Sequence, residues 1–164
     1  MRRDYREVGE RIRAVCAGED EAVALMATVA GELYHAFDEF DWVGFYRVVA
    51  PGLLKVGPYQ GGHGCLVIPF ERGVCGAAAR ERRTQVVADV DAFPGHIACA
   101  ASTRSEIVVP IIGSHGDLLG VLDIDSDTPA AFDETDATAL EQIVRVVFAQ
   151  ASHSARPAQA VDMK

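Results

Sequence analysis

Ser105-Glu106-Ile107-Val108-Val109-Pro110-Ile111-Ile112-Gly113-Ser114-His115-Gly116-Asp117-Leu118-Leu119-Gly120-Val121-Leu122-Asp123-Ile124 consists of two apolar runs joined by a short stretch of turn residues. Runs of this length and β-branched content, separated by a Gly- and Asp-containing loop, predict an antiparallel hairpin. Pro110 cannot donate to a central ladder, so it marks an edge, a bulge or the strand end. Asp123 and Asp125 are two apart; on a strand their side chains leave on the same side and can line one pocket. The competing reading makes Asp125-Ser126-Asp127 a polar strand end with turn residues.

Upstream, Gly95-His96-Ile97-Ala98-Cys99-Ala100-Ala101-Ser102-Thr103-Arg104 places a thiol shortly before Glu106, which opens the first run. Loops of small residues are where reactive groups are presented, although free cysteine also serves as a small buried hydrophobe. Further back, Asp41 to Val49 alternates Trp42, Gly44 and Tyr46 against Val43, Phe45 and Arg47, which is strand spacing. Ala50-Pro51-Gly52 is turn chemistry, and Leu53 to Tyr59 reads as the antiparallel partner. Trp42 and Tyr46 share a face across Gly44. They form either a cross-strand aromatic cluster in the core or two walls of a small-ligand pocket. Gly61-Gly62-His63-Gly64 lacks a phosphate-binding motif and reads as a flexible loop, followed by Cys65-Leu66-Val67-Ile68 as a short strand. Gly73 to Arg82 reads as a helix with Val74, Cys75, Ala77 and Ala78 inward, and Thr84 to Ala88 as another strand.

Helical periodicity governs both ends. Asp4 caps a helix carrying Tyr5, Val8, Ile12 and Val15, and Gly18 breaks it. A second helix starts at Asp20, with Glu21 in its first turn, and carries Val23, Met26, Ala30, Leu33 and Phe37. Asp133 starts the last, with Ala137, Leu140, Val144, Val147 and Ala151 as its stripe. Cys16 has no polar companion and reads as packing. Terminal helices around hairpins and a mid-chain helix give a single α+β domain over 1–151 with a mostly antiparallel sheet; 152–164 loses periodicity and reads as a flexible C-terminal tail. The net charge of -9 opposes a nucleic-acid partner or an anionic membrane surface. No apolar run approaches the roughly 20 residues of a membrane span, and the start leads into no signal-peptide core. A cytoplasmic location follows, in which 4 cysteines are free thiols, metal ligands or a cycling redox pair.

Three constellations account for the unusual residues. His63, Cys65, Cys75, His96 and Cys99 have zinc-ligand chemistry, but their spacing contains no C-x-x-C pair. An aromatic pocket without chemistry would suit a ligand sensor. A thiol enzyme explains more: Cys99 as nucleophile, a second cysteine to resolve it, and Glu106, Asp123 and Asp125 as an acidic pocket. Carboxylates crowded in a partly apolar pocket cannot all ionise easily, so at least one keeps its proton and the others attract a cation. Such a pocket suits an electrophilic sulfur centre in a small zwitterion. Acyl transfer fits less well, because the carboxylates oppose a developing oxyanion.

The segments Asp41-Trp42-Val43-Gly44-Phe45-Tyr46, Gly57-Pro58-Tyr59-Gln60-Gly61, Arg72-Gly73-Val74-Cys75-Gly76, Gly95-His96-Ile97-Ala98-Cys99, Ser105-Glu106-Ile107-Val108 and Gly120-Val121-Leu122-Asp123-Ile124-Asp125-Ser126 resemble the free methionine-(R)-sulfoxide reductases, a GAF-domain enzyme family. The likeness runs from about Tyr5 to Gln150 with the segments in family order. It implies that Cys99 attacks the sulfoxide sulfur of free methionine sulfoxide, that Cys65 resolves the sulfenic acid as a Cys65–Cys99 disulfide, and that thioredoxin reduces that disulfide. Cys75 matches a third family cysteine, with helix packing and an alternative disulfide both open. Glu106, Asp123 and Asp125 match the substrate-binding carboxylates, and Trp42 and Tyr46 the aromatic side of the pocket. The resemblance implies a homodimer, with no cofactor and no metal beyond the external reductant.

Overall fold

The computed structural model describes residues 3–151; the expected tail over 152–164 lies outside them. Four helices are formed, α1 (Tyr5–Val15), α2 (Ala22–Ala36), α3 (Gly73–Glu81) and α4 (Glu134–Val147). The strands are β1 (Trp42–Ala50), β2 (Leu53–Gln60), β3 (Val67–Pro69), β4 (Gln85–Val87), β5 (Ser105–Ile112) and β6 (Leu118–Ser126), with a single 3-10 turn at Val90–Ala92. The strands make one six-stranded sheet in the order β3-β2-β1-β6-β5-β4, antiparallel at every pairing. No helix among the described residues is long and apolar enough to cross a membrane.

Strand alternation divides the molecule into two layers. Val43, Phe45, Ile107, Val109, Ile111, Leu122 and Ile124 face one side and pack with Val8, Ile12, Leu25, Val29, Leu33 and Leu140 of the terminal helices. The intervening positions, Trp42, Tyr46, Val108 and Val121, face the other side and pack with Val74, Cys75 and Ala78 of α3. One apolar core thus holds the sheet from behind. The opposite face carries a second apolar cluster, beside which the buried carboxyls Glu106 and Asp123 lie.

Several sequence expectations are corrected. The cap of α2 is Glu21, whose carboxylate accepts from Ala24 N at 2.7 Å, rather than a start at Asp20. Val23 and Val15 are exposed, because the register of each helix turns Leu25 with Val29, and Val8 with Ile12, toward the sheet. β3 begins at Val67, so Cys65 lies in the preceding loop and not in a strand. β6 continues through Ser126, which places Asp125 in the strand and not in a terminal turn. Pro110 is accommodated because β4 pairs β5 only up to Val108, so beyond that residue β5 is an edge on that side.

α1 and α4 are locked together by a buried polar cluster. Asp133 and Asp136 form a capping box at the start of α4, and Tyr5 Oη donates to Asp136 Oδ1 at 2.7 Å. Arg3 donates to the same oxygen at 3.0 Å and to Ala131 O at 2.9 Å, and it also pairs with Glu39. Its guanidinium lies over the rings of Phe40 and Phe132.

Candidate active site

The register of the three central strands assembles the site. Trp42 stands opposite Asp125 and Asp125 opposite Glu106, so these three form one row across β1, β6 and β5. Gly44, Asp123 and Val108 form the next row on the same face. Directly opposed residues of antiparallel strands share a face, which is why carboxylates distant in sequence converge. A Cβ on Gly44 would overlap the Trp42 ring and Tyr59 Cβ. The gap left there is filled by aromatic stacking, with Trp42 lying 5.9 Å from Tyr46 and 5.2 Å from Tyr59.

Two loops cover this face. Trp42 Nε1 donates to Gly62 O at 3.1 Å and holds the glycine loop that leads to Cys65. Gly64 passes so close that a Cβ would lie 2.8 Å from Trp42 and 3.0 Å from Tyr46 Oη. The second loop is tied to the start of α3 by Gly73 N donating to Gly95 O at 3.0 Å, with Gly73 at φ +70°. Cys65 and Cys99, one from each loop, form a disulfide with a Cα–Cα separation of 5.2 Å. In this disulfide-bonded form neither sulfur is free to act as a zinc ligand. Beneath the disulfide is a cavity of about 30 Å³ lined by Trp42, Tyr46, Cys75, Glu106, Asp123 and Asp125 among others. That is room for a water or two and too little for an amino acid.

The carboxylates are electrostatically crowded. Glu106 and Asp123 are 6% and 5% exposed. Burial, followed by the charges of Asp123 and Asp125, pushes the Glu106 carboxyl well above its usual range. Asp125 is likewise pushed well up by burial and then by Asp123, Asp127 and Asp41. Burial raises Asp123 only to about 6, opposed by hydrogen bonds from Glu106 and Cys75. All three carboxyls are thus held above their ordinary range, and Asp123 Oδ1 is buried without a hydrogen-bond partner among the described residues. Cys75 on α3 is buried; burial and then the charges of Asp123 and Glu106 hold it as the thiol, which points at Glu106 Oε1 from 3.9 Å. A protonated thiol is a poor nucleophile. Cys75, Glu106 and Asp123 offer ligand atoms within 4.8 Å of one another, the one such group among the described residues able to hold a metal ion.

All eight residues singled out in the sequence lie at this site. Cys99, Cys65 and Cys75 meet Trp42, Tyr46, Glu106, Asp123 and Asp125 around one cavity or at its cover. The sequence reading did not find Thr103, buried in the wall, and saw His96 only as a metal ligand. His96 Nε2 is 3.9 Å from Glu106 Oε2. Nothing in the composition around Thr103 marked it, whereas His96 stands in the same segment as Cys99.

A GAF domain family model matches residues 16–147. The free methionine-R-sulfoxide reductase of Escherichia coli (strain K12) is 39% identical over 140 residues, 85% of this chain and 84% of that protein. A free methionine-R-sulfoxide reductase from Neisseria meningitidis, solved in complex with its substrate, is 48% identical with a TM-score of 0.83 over 89% of this chain and 87% of that one. A putative GAF sensor protein from Burkholderia vietnamiensis is 44% identical with a TM-score of 0.84, covering 90% of this chain and 92% of that one.

Proposed function

Since this chain belongs to the GAF-domain family and, within it, to the free methionine-R-sulfoxide reductases, we propose that it reduces free L-methionine-(R)-sulfoxide to methionine with Cys99 as nucleophile. The observation that carries the reading is a disulfide between two loops, beside a cavity lined by three crowded carboxyl groups. A silent ligand-binding domain has no need of such a bond.

In the reduced protein the Cys99 thiolate attacks the sulfoxide sulfur, and the sulfur–oxygen bond breaks as the oxygen takes a proton. Glu106 and Asp125, the two carboxyls held protonated, are placed to supply it. The hydroxide so released adds to the Cys99 sulfur as the bond between the two sulfurs breaks, so that methionine leaves and Cys99 is a sulfenic acid. The Cys65 thiol condenses with it, releasing water and forming the disulfide. Two electrons from an external dithiol then restore both thiols; thioredoxin is the reductant proposed, in a cytoplasmic homodimer with no other cofactor. Asp123, whose buried Oδ1 has no hydrogen-bond partner among the described residues, receives the substrate ammonium. Trp42 and Tyr46 receive the methyl-sulfur end.

The test follows methionine release from the R and S epimers with dithiothreitol, beside a Cys99→Ser variant. Release from the R epimer alone, lost in the variant, is the expected result. A folded wild type inactive on both epimers returns the protein to the sensor reading. The ammonium contact predicts selectivity for the free amino acid, because N-acetylation leaves a buried anion unpaired. N-acetylmethionine sulfoxide is expected to show kcat/KM lower by roughly 10-fold or more. Equal turnover of the two compounds would remove Asp123 from that role.

A further inference from the structure

Cys75 is the thiol that the reaction cycle leaves unused, and it stands beside two carboxyls. It comes from α3, Glu106 from β5 and Asp123 from β6, so regular elements fix all three positions. One sulfur and two oxygen donors, all on buried residues, lie within 4.8 Å of one another. Among the described residues no lysine or arginine pairs with either acid, and the one basic side chain that does is His96, 3.9 Å from Glu106 Oε2. Asp123 Oδ1, buried on a residue of the cavity wall, has no hydrogen-bond partner among the described residues either. A buried acceptor left open within an acidic cluster is suited to a cation.

We propose that Cys75, Glu106 and Asp123 form a binding site for one zinc-class divalent cation, which competes with substrate. The donor set selects the class. A thiolate favours zinc over magnesium or calcium, which take oxygen alone, and the two carboxylate oxygens leave a fourth position for water. The cavity of about 30 Å³ has room for that water. Zinc at roughly 2.0–2.3 Å from each donor needs them roughly 3.5 Å apart. Cys75 Sγ and Glu106 Oε1 are already 3.9 Å apart, so side-chain adjustment closes the set. The metal–sulfur bond forms as the thiol proton passes to solvent, and no electrons are transferred. The positive charge of the ion offsets the repulsion among the crowded carboxyls. The set uses neither Cys65 nor Cys99, which separates it from the disulfide chemistry. Only the competition rests on the reductase reading, in which ion and substrate ammonium claim the same Asp123 carboxylate.

The experiment titrates the full chain with cobalt(II) as a spectroscopic probe and then with zinc(II). Cys65→Ser and Cys99→Ser together remove the other thiols at the cavity and prevent turnover. One equivalent of cobalt is expected to give a sulfur-to-cobalt charge-transfer band that zinc displaces and that Cys75→Ser abolishes. Asp123→Asn and Glu106→Gln, which keep side-chain shape, are each expected to weaken both ions roughly 10-fold or more. Calorimetry on the same background is expected to show methionine-(R)-sulfoxide binding weakened roughly 10-fold or more by saturating zinc. No charge-transfer band at millimolar cobalt, a band that survives Cys75→Ser, or affinities unmoved in both carboxamide variants overturns the site. If Cys75→Ser fails to fold, the two carboxamide variants decide. Sulfoxide binding indifferent to zinc overturns the competition. Methionine release by the wild type in the presence of a chelator tests the reductase reading separately, so either reading can fail while the other stands.

Discussion

Single side chains at this site trade stability for chemistry. The unfolded chain releases an aspartate proton near pH 4, whereas folded Asp123 keeps its proton to about 6, and burial raises Glu106 and Asp125 in the same direction. The folded state thus binds more protons than the unfolded one across this window. The associated stability is fully present below the unfolded values and is lost as pH rises through the folded ones. For the disulfide-bonded protein, unfolding at pH 5 and pH 8 is expected to show Glu106→Gln flattening the decline and stabilising the pH 8 state by roughly 0.5–2 kcal/mol, as removal of a strained functional group commonly does. Methionine release should be lost in the same variant. An undiminished pH dependence would remove Glu106 from the crowded set. Gly44→Ala tests the aromatic packing, since its methyl would displace Trp42 or Tyr59. A cost of about 1–3 kcal/mol in thermal or denaturant unfolding, with a raised KM, is expected; wild-type values for both would show that the rings yield freely. These carboxylates were legible in the sequence because the two-residue period fixes which strand side chains share a face. His96, Thr103 and the Tyr46 hydroxyl's surroundings were not, because loops carry no period to say where a side chain points.

Elements formed by local pattern were foreseen, and their long-range partners were not. The β5–β6 hairpin follows from its own sequence, but β1 pairs with β6 across about half the chain, and this non-local pairing brings Trp42 beside Asp125. Helix stripes gave Val8, Ile12, Met26 and Leu33 correctly and missed Val15 and Val23, which lie near helix ends where the sheet falls away. Tyr5 was legible as part of the α1 stripe, but its pairing with Arg3 and Asp136 was not, since those two are ordinary surface types far apart in sequence. Asp136→Ala removes the carboxylate that receives Arg3, Tyr5 and the Asp133 backbone, leaving a buried guanidinium short of its anion. Loss of about 3–5 kcal/mol is expected in denaturant unfolding. A loss below about 1 kcal/mol, the range of a cap alone, would show that Glu39 suffices for Arg3.

For the whole molecule, the disulfide ties residues separated by 34 positions. Restricting a loop of that length in the unfolded chain is worth up to about 4 kcal/mol in the chain-entropy account. Reduction by dithiothreitol is expected to lower the denaturant midpoint of the wild type, whereas Cys99→Ser should be unmoved by the reagent. An unchanged wild-type midpoint would mean that relaxation of the two loops compensates for the lost cross-link. The same feature sets a race. A sulfenic acid exposed to peroxide advances irreversibly to the sulfinic state, unless a second thiol arrives first. A fold that can bring Cys65 and Cys99 to a Cα–Cα separation of 5.2 Å presents that thiol at an effective concentration far above that of any cellular oxidant. Capture then outpaces overoxidation, and the reactive intermediate is shielded by its neighbour in the very conditions that generate its substrate.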